Sequence, residues 1–323
     1  MNEQRAMEAA AEAIMAADDL ALACHVGPDG DALGSMIGFG MAARNAGKTV
    51  VAGFGSPFKV PGNLSFLPTD LLVHPDDFPK EPRTMVVFDA GVKDRLGELG
   101  SAAGRAGTLI VLDHHATGSD FGDIAVVVPE AAATGVLVVR LLDELGWPIT
   151  PEVATCLHTA IVTDTGRFQY QATTPYVFEL AARLVSAGAR PSEIGEKVYE
   201  QAPFGYLKAA GAALSRATLD RELGLVSTVI TERELDEAGI DWGDMDNLIN
   251  TVRLAEEADV ALVIKVHNDG RVKLSLRSRG ATDVGGLAAA MGGGGHRLAA
   301  GVNYAGSAES ALDEVRKRIG DHR

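Results

Sequence analysis

Histidine and aspartate side chains follow directly after three short apolar runs of this 323-residue sequence. They are His25, Asp29 and Asp31 after residues 20–24, Asp89 after residues 84–88, and Asp113, His114 and His115 after residues 108–112. Imidazole nitrogens and carboxylate oxygens, with no thiolate among them, suit a hard or borderline divalent cation such as Mn²⁺ or Mg²⁺. The residue types therefore predict a metal site of this kind rather than a structural zinc site.

A further candidate ligand, Asp164, stands in the stretch TAIVTDTGRF at residues 159–168. Each of these aspartates taken alone is typical of a helix N-cap or a turn. Together, the acids and histidines would repel and desolvate one another unless cations compensated them. We expect two ions, because the set exceeds what one ion with open positions needs, and a carboxylate that bridges ions about 3.5–4 Å apart is used to hydrolyse phosphate esters.

The stretch HVGPDGDALGS at residues 25–35 fits this expectation of two ions. His25 and Asp29 would contact one ion from the loop, and Asp31 would point to the neighbouring ion. Gly30 would let the backbone turn between the two aspartates.

The elements that must position these residues are buried parallel strands. Near-continuous apolar runs typical of such strands occupy residues 20–24, 49–54, 84–88, 108–112 and 124–128. Helices are predicted at residues 32–46, 134–145, 152–162 and 176–187. The carboxyl ends of parallel strands share the sheet edge where ligands bind, so we expect the acids and histidines to converge there. The fold class is α/β, with a doubly wound, mainly parallel sheet.

The second part of the chain has a different pattern. Residues 189–205 carry Gly and Pro punctuation and are predicted to link a domain at 1–188 to one at 206–323. The second domain reads as a smaller α/β unit with a mixed sheet. Its glycine run, residues 292–295, offers bare backbone N–H groups beside a histidine, which favours an anion. The predicted substrate-binding residues are Arg277, Ser278, Gly294, Gly295 and His296, which would place the active site in a cleft between the domains.

Composition restricts the partners. The formal net charge is −15 and the isoelectric point is near 4.9, so a long duplex nucleic acid is not expected. The two cysteines, Cys24 and Cys156, cannot form a disulfide framework, which fits a reducing cytoplasm. No run approaches 18 uninterrupted apolar residues, so we expect no membrane partner.

Ordered motifs give the sequence a family resemblance. HVGPDGDA, FDAG, LDHHATG and VTDTGRF resemble the four motifs of the DHH phosphoesterases, and LRSR with MGGGGHRLAAG resembles their DHH-associated domain. The resemblance spans about residues 20–305 and is greatest to the NrnA-type nanoRNases. It implies the metal ligands His25, Asp29, Asp31, Asp89, His114 and Asp164, with Asp89 as the bridge. The implied catalytic residues are Asp31, Asp89 and His115, and His115 would also face the scissile phosphate.

The resemblance also implies an activity. A hydroxide activated by two Mn²⁺ ions, or by Mg²⁺ or Co²⁺ in their place, would hydrolyse short oligoribonucleotides such as pApA to AMP, or 3′-phosphoadenosine 5′-phosphate (pAp). A homodimer is implied in the same way. A cyclic di-AMP phosphodiesterase would use the same ions and remains an alternative. A catalytically silent nucleotide-binding regulator is a weaker alternative, because no ligand is missing.

Three positions near the motifs have more than one interpretation. Gly118 stands where relatives commonly carry Asn, and Ala133 stands where Ser is common before Thr134. Asp113 is either a ligand or a partner that orients one of the histidines beside it.

Overall fold

The computed structural model describes residues 3–115 and 121–321. The chain forms two compact units that divide between Gln201 and Ala202. Within the described residues, no helix combines the length and the apolar character needed to cross a membrane.

The first unit contains a five-stranded sheet and seven α-helices among its described residues. Its strands are β1 (Asp19–Cys24), β2 (Thr49–Gly53), β3 (Thr84–Phe88), β4 (Thr108–Asp113) and β5 (Ile124–Val127). Its helices are α1 (Glu3–Ala16), α2 (Gly30–Asn45), α3 (Gly100–Ala103), α4 (Thr134–Leu145), α5 (Pro151–Asp164), α6 (Pro175–Ser186) and α7 (Pro191–Gly195). Shorter turns are the 3₁₀ segments Gly62–Leu64, Pro75–Asp77 and Lys93–Leu99 and the π-helical segment Glu196–Glu200.

All paired strands of this sheet run parallel, in the order β2-β1-β3-β4-β5. Successive residues of a strand enter different cores, because strand side chains alternate between the two faces of a sheet. On β1, Leu22 packs in a large core with α2, α4 and α5, whereas Ala23 packs in a smaller core with Leu96 and residues of α3. The sheet is therefore covered on both faces, and the predicted doubly wound α/β fold is confirmed.

The segment expected to link the domains is helical in part. Residues 189–205 include α7 and the π-helical segment, and Ile194 and Val198 are buried in the core of the first unit. Their apolar side chains pack onto the first unit, although the surrounding Gly and Pro residues suggested a linker.

The second unit is a six-stranded mixed sheet with five helices among its described residues. Its strands are β6 (Thr218–Asp220), β7 (Leu225–Thr231), β8 (Val260–Val266), β9 (Val272–Ser278), β10 (Gly294–His296) and β11 (Ala299–Tyr304). Its helices are α8 (Phe204–Ser215), α9 (Glu232–Ala238), α10 (Leu248–Val252), α11 (Val284–Ala289) and α12 (Ala308–Asp321), with a 3₁₀ turn at Trp242–Met245. The strand order is β10-β11-β9-β8-β7-β6, and only the pairing of β7 with β8 is parallel.

The two faces of the second sheet are covered by helices to different extents. One face packs against α11 and α12 through residues such as Leu274, Leu276 and Val302. On the other face, Ala261 and Val263 of β8 pack with α8, α9 and α10. On that same face the residues of β9, β11 and β10 are exposed or half-buried, so this half of the sheet is open to solvent.

Candidate metal centre

Strand order explains why the predicted residues meet. β1 and β3 lie side by side where the sequential order of the strands reverses, and such a switch point opens a crevice at their carboxyl ends. His25 follows β1 and Asp89 follows β3, and the His25 Nε2 atom lies 3.4 Å from Asp89 Oδ2. His114 follows the next strand, β4, and its Nε2 atom lies 3.5 Å from Asp89 Oδ1. The predicted convergence of the strand ends is therefore present.

Asp29 caps the helix that carries Asp31. Its Oδ1 atom accepts hydrogen bonds from the backbone N–H groups of Asp31 and Ala32 at 3.1 and 3.0 Å. Its Oδ2 atom is left 3.8 Å from His25 Nε2. One oxygen of the Asp29 carboxylate therefore caps the N-terminus of α2, and the other oxygen faces the site.

Asp31 is held by the start of another helix. Its carboxylate accepts the backbone N–H groups of Thr134 and Gly135 at 2.6 and 2.9 Å, and the Ser35 hydroxyl at 3.0 Å. Ala133 stands at the N-cap of α4 and supplies no side-chain cap. Asp31 therefore serves as the cap of α4 from a distant part of the chain, and the positive end of that helix favours its charge.

Asp89 occupies an unusual backbone conformation. Its φ angle is 56°, in the left-handed region that only a small share of non-glycine residues adopt. The Thr134 hydroxyl donates to its Oδ1 atom at 2.9 Å, and the side chain is buried. Strained conformations of this kind concentrate at functional sites, and this one places the carboxylate between three histidines.

The possible ligand atoms form three overlapping clusters among the described residues. Within each cluster the atoms lie within 4.8 Å of one another. The clusters are His25 with Asp29 and Asp89, Asp31 with His114 and Asp164, and Asp89 with His114 and His115. His114 Nε2 lies 3.3 Å from Asp164 Oδ2 and 3.7 Å from Asp31 Oδ2. The structure therefore brings the six predicted ligands together, and Asp89 belongs to two of the three clusters.

The hydrogen bonds of the histidines fit a cation. A backbone carbonyl can only accept, so the His25 Nδ1 atom, 3.1 Å from Val26 O, carries a proton. The His25 Nε2 atom is buried, lacks a hydrogen-bond partner and faces two carboxylates, and in a neutral ring it would offer its lone pair to a cation. The His114 Nδ1 atom likewise lies 3.1 Å from a backbone carbonyl, that of Ala131. Second-sphere carbonyls orient metal-binding imidazoles in this manner, so the residues present fit divalent cations.

The pKa shifts of the buried aspartates also indicate that the site binds cations. Burial and the charges of Asp89 and Asp164 raise the pKa of Asp31 well above its ordinary value. Burial, with the charges of Asp29 and Asp89, likewise raises the pKa of Asp164. Burial also acts on Asp89, but the three histidines around it outweigh that effect and lower its pKa. The site requires added positive charge to keep these carboxylates ionised together.

His115 has a different set of partners from His114. Its Nδ1 atom lies 2.7 Å from Asp113 Oδ1, and its Nε2 atom lies 3.3 Å from the Arg95 NH1 atom. Asp113 is buried in β4 and touches the ring of His115. This contact favours the orienting role of Asp113 over a ligand role.

The sequence interpretation missed Arg95 and Thr134. Arg95 lies in the 3₁₀ segment after β3, and its carbonyl accepts the backbone N–H of Val26, which fixes that segment beside the site. Thr134 donates both its N–H and its hydroxyl to the acids. A cation shortly after Asp89 and a helix start without a cap at Ala133 were the only signals available.

The predicted anion-binding residues of the second unit separate into two groups. In the register of the sheet, His296 and Arg277 both pair with Ala299, so they lie on one face with a small residue between them. Gly295 has a φ angle of 143°, and a Cβ there would collide with the Ala299 carbonyl oxygen. Gly294 is exposed, and it precedes Gly295 in β10.

Ser278 differs from the expectation. It is buried on the opposite face from Arg277, because neighbouring residues of a strand point in opposite directions. Its hydroxyl accepts the N–H of Gly280 at 2.9 Å and lies 3.4 Å from Asp259 Oδ2. Its role in the structure is to fix the turn after β9.

Gly118, which stands where relatives commonly carry Asn, lies outside the described residues.

Comparison with known proteins assigns the family. The DHH family N-terminal domain matches residues 20–161, and the DHHA1 domain matches residues 224–321. The chain is 34% identical, over 92% of its length and 89% of the relative, to the bifunctional oligoribonuclease and PAP phosphatase NrnA of Thermus thermophilus. The chain belongs to the DHH family.

Other DHH relatives cover similar shares of the chain. The bifunctional oligoribonuclease and PAP phosphatase NrnA of Bacillus subtilis is 29% identical, over 88% of this chain and 89% of its own. The crystal structure of an exopolyphosphatase-related protein from Bacteroides fragilis superimposes with a TM-score of 0.91 at 26% identity, covering 99% of this chain and 96% of that chain. The N-terminal DHH match contains every predicted ligand except Asp164, which lies three residues beyond it at the end of α5.

Proposed function

We propose that this DHH-family protein is a Mn²⁺-dependent phosphoesterase that hydrolyses short oligoribonucleotides, such as pApA to AMP, and the phosphomonoester of pAp. The observation that carries the proposal is the set of three overlapping ligand clusters, in which Asp89 and His114 each belong to two. The names of the Thermus and Bacillus relatives, which combine oligoribonuclease and PAP phosphatase, support the substrate class.

The residues of these three overlapping clusters would together hold two cations. His25 and Asp29 would bind the first, Asp31, His114 and Asp164 the second, and Asp89 both. When bound, the two cations would supply Lewis acidity to a water nucleophile and to the phosphoryl oxygens.

The remaining polar residues are arranged to orient these ligands. Thr134 and Gly135 fix the direction of the Asp31 carboxylate, and Thr134 also fixes Asp89. Outer partners of this kind determine how accurately ligands are aimed before substrate arrives. The start of α4 therefore acts as a rigid support for both cation positions.

His115 and Arg95 are the groups available to the phosphate. Asp113 holds the Nδ1 side of the His115 ring, which leaves the Nε2 side and the neighbouring Arg95 guanidinium toward the exposed side of the site. A guanidinium offers charge-assisted hydrogen bonds to phosphoryl oxygens, and these strengthen as negative charge develops during the reaction. We propose that Arg277, Gly294, Gly295 and His296 bind a phosphate of the substrate in the second unit.

Product analysis tests the proposed function. The purified protein with Mn²⁺ is incubated separately with pApA, a long RNA, pAp and cyclic di-AMP, and the products are separated by chromatography. Fast conversion of pApA to AMP, with slow attack on the long RNA, is the expected result. Preference for cyclic di-AMP would replace the proposal with the phosphodiesterase alternative, and binding of Mn²⁺ without turnover of any substrate would favour a regulator.

A further inference from the structure

The open half of the second sheet carries a row of polar side chains. Lys273, Ser275 and Arg277 alternate along β9 and therefore point to the same face. Lys273 is exposed, and Ser275 and Arg277 are half-buried. Across the sheet, Ser275 is aligned with Gly301 of β11 and, through it, with Gly294 of β10. The glycines leave a shallow strip without side chains beside the row.

The positive charge at one end of this row is concentrated. Lys265 of β8 is directly opposite Lys273, and like charges in directly opposed positions destabilise a sheet. Lys265 is compensated by Asp246, whose Oδ1 atom lies 3.1 Å from its Nζ atom. Lys273 has no hydrogen bond or ion pair with any described residue. Its ammonium group is available to an anion.

The spacing of the row suits an extended polyanion. Lys273 and Arg277 are four residues apart, which corresponds to about 13 Å along a strand. Strand side chains stand roughly perpendicular to the sheet and keep about this separation, which suits two phosphates of one chain better than a single phosphate group. The cations stand out in a protein whose net charge is −15, and charge complementarity therefore favours a phosphate backbone over a neutral or cationic partner.

We propose that the open face of β9, β11 and β10 binds the ribose-phosphate backbone of oligoribonucleotides longer than a dinucleotide, with Lys273 contacting a phosphate distant from the one held by Arg277 and His296. This inference rests on the proposed function and extends it to substrate length. Lys273 then increases the affinity for longer substrates, while dinucleotides and pAp are too short to reach it.

Steady-state kinetics on a length series tests this subsite. Wild type, Lys273→Ala and the control Lys317→Ala, which removes an exposed lysine of α12, are compared on pAp and on oligoadenylates of two to five nucleotides. We expect Lys273→Ala to raise KM for the tetramer and pentamer about 3- to 10-fold, the size of one partly exposed charge-assisted contact. For pApA and pAp the variant matches wild type, and Lys273→Arg restores the longer substrates.

Salt dependence supplies a readout that a folding defect would not produce. One phosphate contact fewer reduces the slope of log affinity against log salt concentration by about 0.7 for a single strand. The slope is measured by fluorescence anisotropy with a labelled pentanucleotide in EDTA, where binding is observed without turnover. An unchanged slope, or a KM change equal at every substrate length, would overturn the subsite.

Different results would contradict the proposed function and the Lys273 subsite. If wild type does not hydrolyse pApA, the proposed function is wrong, but the anisotropy comparison of wild type with Lys273→Ala still decides whether the open face binds a strand. If pApA is hydrolysed normally and Lys273→Ala binds the pentanucleotide as wild type does, only the subsite is wrong.

Discussion

Among the single residues of the site, Asp89 is shared by two of the three ligand clusters. The variant Asp89→Asn keeps the shape of the side chain and removes its charge. We expect it to lose more than the roughly 10- to 100-fold that changes in the outer partners of metal ligands cost, because it removes a ligand common to both cation positions. The rate of pApA hydrolysis and the Mn²⁺ content are measured, with exposed Asp77→Asn as the control. Full activity in Asp89→Asn would contradict the arrangement of two cations.

Asp113 is predicted to act through His115 rather than on a metal. The Asp113→Asn variant should lower kcat for pApA by about 10- to 100-fold, because the ring loses the negative charge that holds its Nδ1 proton. Its Mn²⁺ content should equal that of wild type. The control is Asp123→Asn, which removes an exposed carboxylate that accepts the N–H of Leu109 in the same strand, β4. A fall in Mn²⁺ content together with activity would instead identify Asp113 as a ligand.

At the scale of elements, the close approach of α2 to α5 places the acids at their ends. Gly34 of α2 lies against α5, and a Cβ there would collide with the Cys156 carbonyl oxygen and lie 3.0 Å from the Ala160 Cβ atom. Gly34→Ala should therefore lower the free energy of unfolding by about 1–3 kcal/mol, the usual cost of overpacking. Chemical denaturation followed by circular dichroism measures it.

The matched control for this variant is a helical glycine with free space around it. At Gly211 of α8 a Cβ would meet nothing within 4 Å, so Gly211→Ala should raise the free energy of unfolding by about 0.5–1 kcal/mol. Equal effects of the two substitutions would show that the α2–α5 contact is not tight.

The strands with strong apolar runs could be predicted from the sequence. Because the carboxyl ends of parallel strands share one edge of the sheet, the meeting of the acids and histidines at that edge could be predicted as well. The sequence predicted that Gly30 permits a tight backbone turn, but Gly30 is the first residue of α2 and is not among the glycines with positive φ. A Cβ there would lie 2.5 Å from the Thr163 hydroxyl of α5, so the glycine permits the contact between the two helices. Such a contact joins residues far apart in the chain, and local pattern does not reveal it. The sequence did not predict the short strand β10, because Gly and His have little β propensity. These residues form a strand through their pairing with β11.

At the scale of the whole molecule, the metal centre and the second sheet belong to different compact units. Each unit contains one of the two tryptophans of the chain. Trp147 is buried in the first unit with its ring centroid 5.9 Å from that of Phe39, and Trp242 lies beside His267 in the second unit. Their fluorescence can therefore report the unfolding of the two units separately.

Mn²⁺ should stabilise the first unit selectively. A ligand that binds only the folded state adds about 2.7 kcal/mol at a concentration 100 times its Kd. All six proposed ligands precede Gln201, so the added stability belongs to the unit that contains Trp147. Urea unfolding of Trp242→Phe, which reports Trp147, should shift to higher urea with Mn²⁺, whereas that of Trp147→Phe, which reports Trp242, should not. An equal shift of both signals would mean that the two units unfold as one cooperative block, and no shift of either would contradict the metal centre itself.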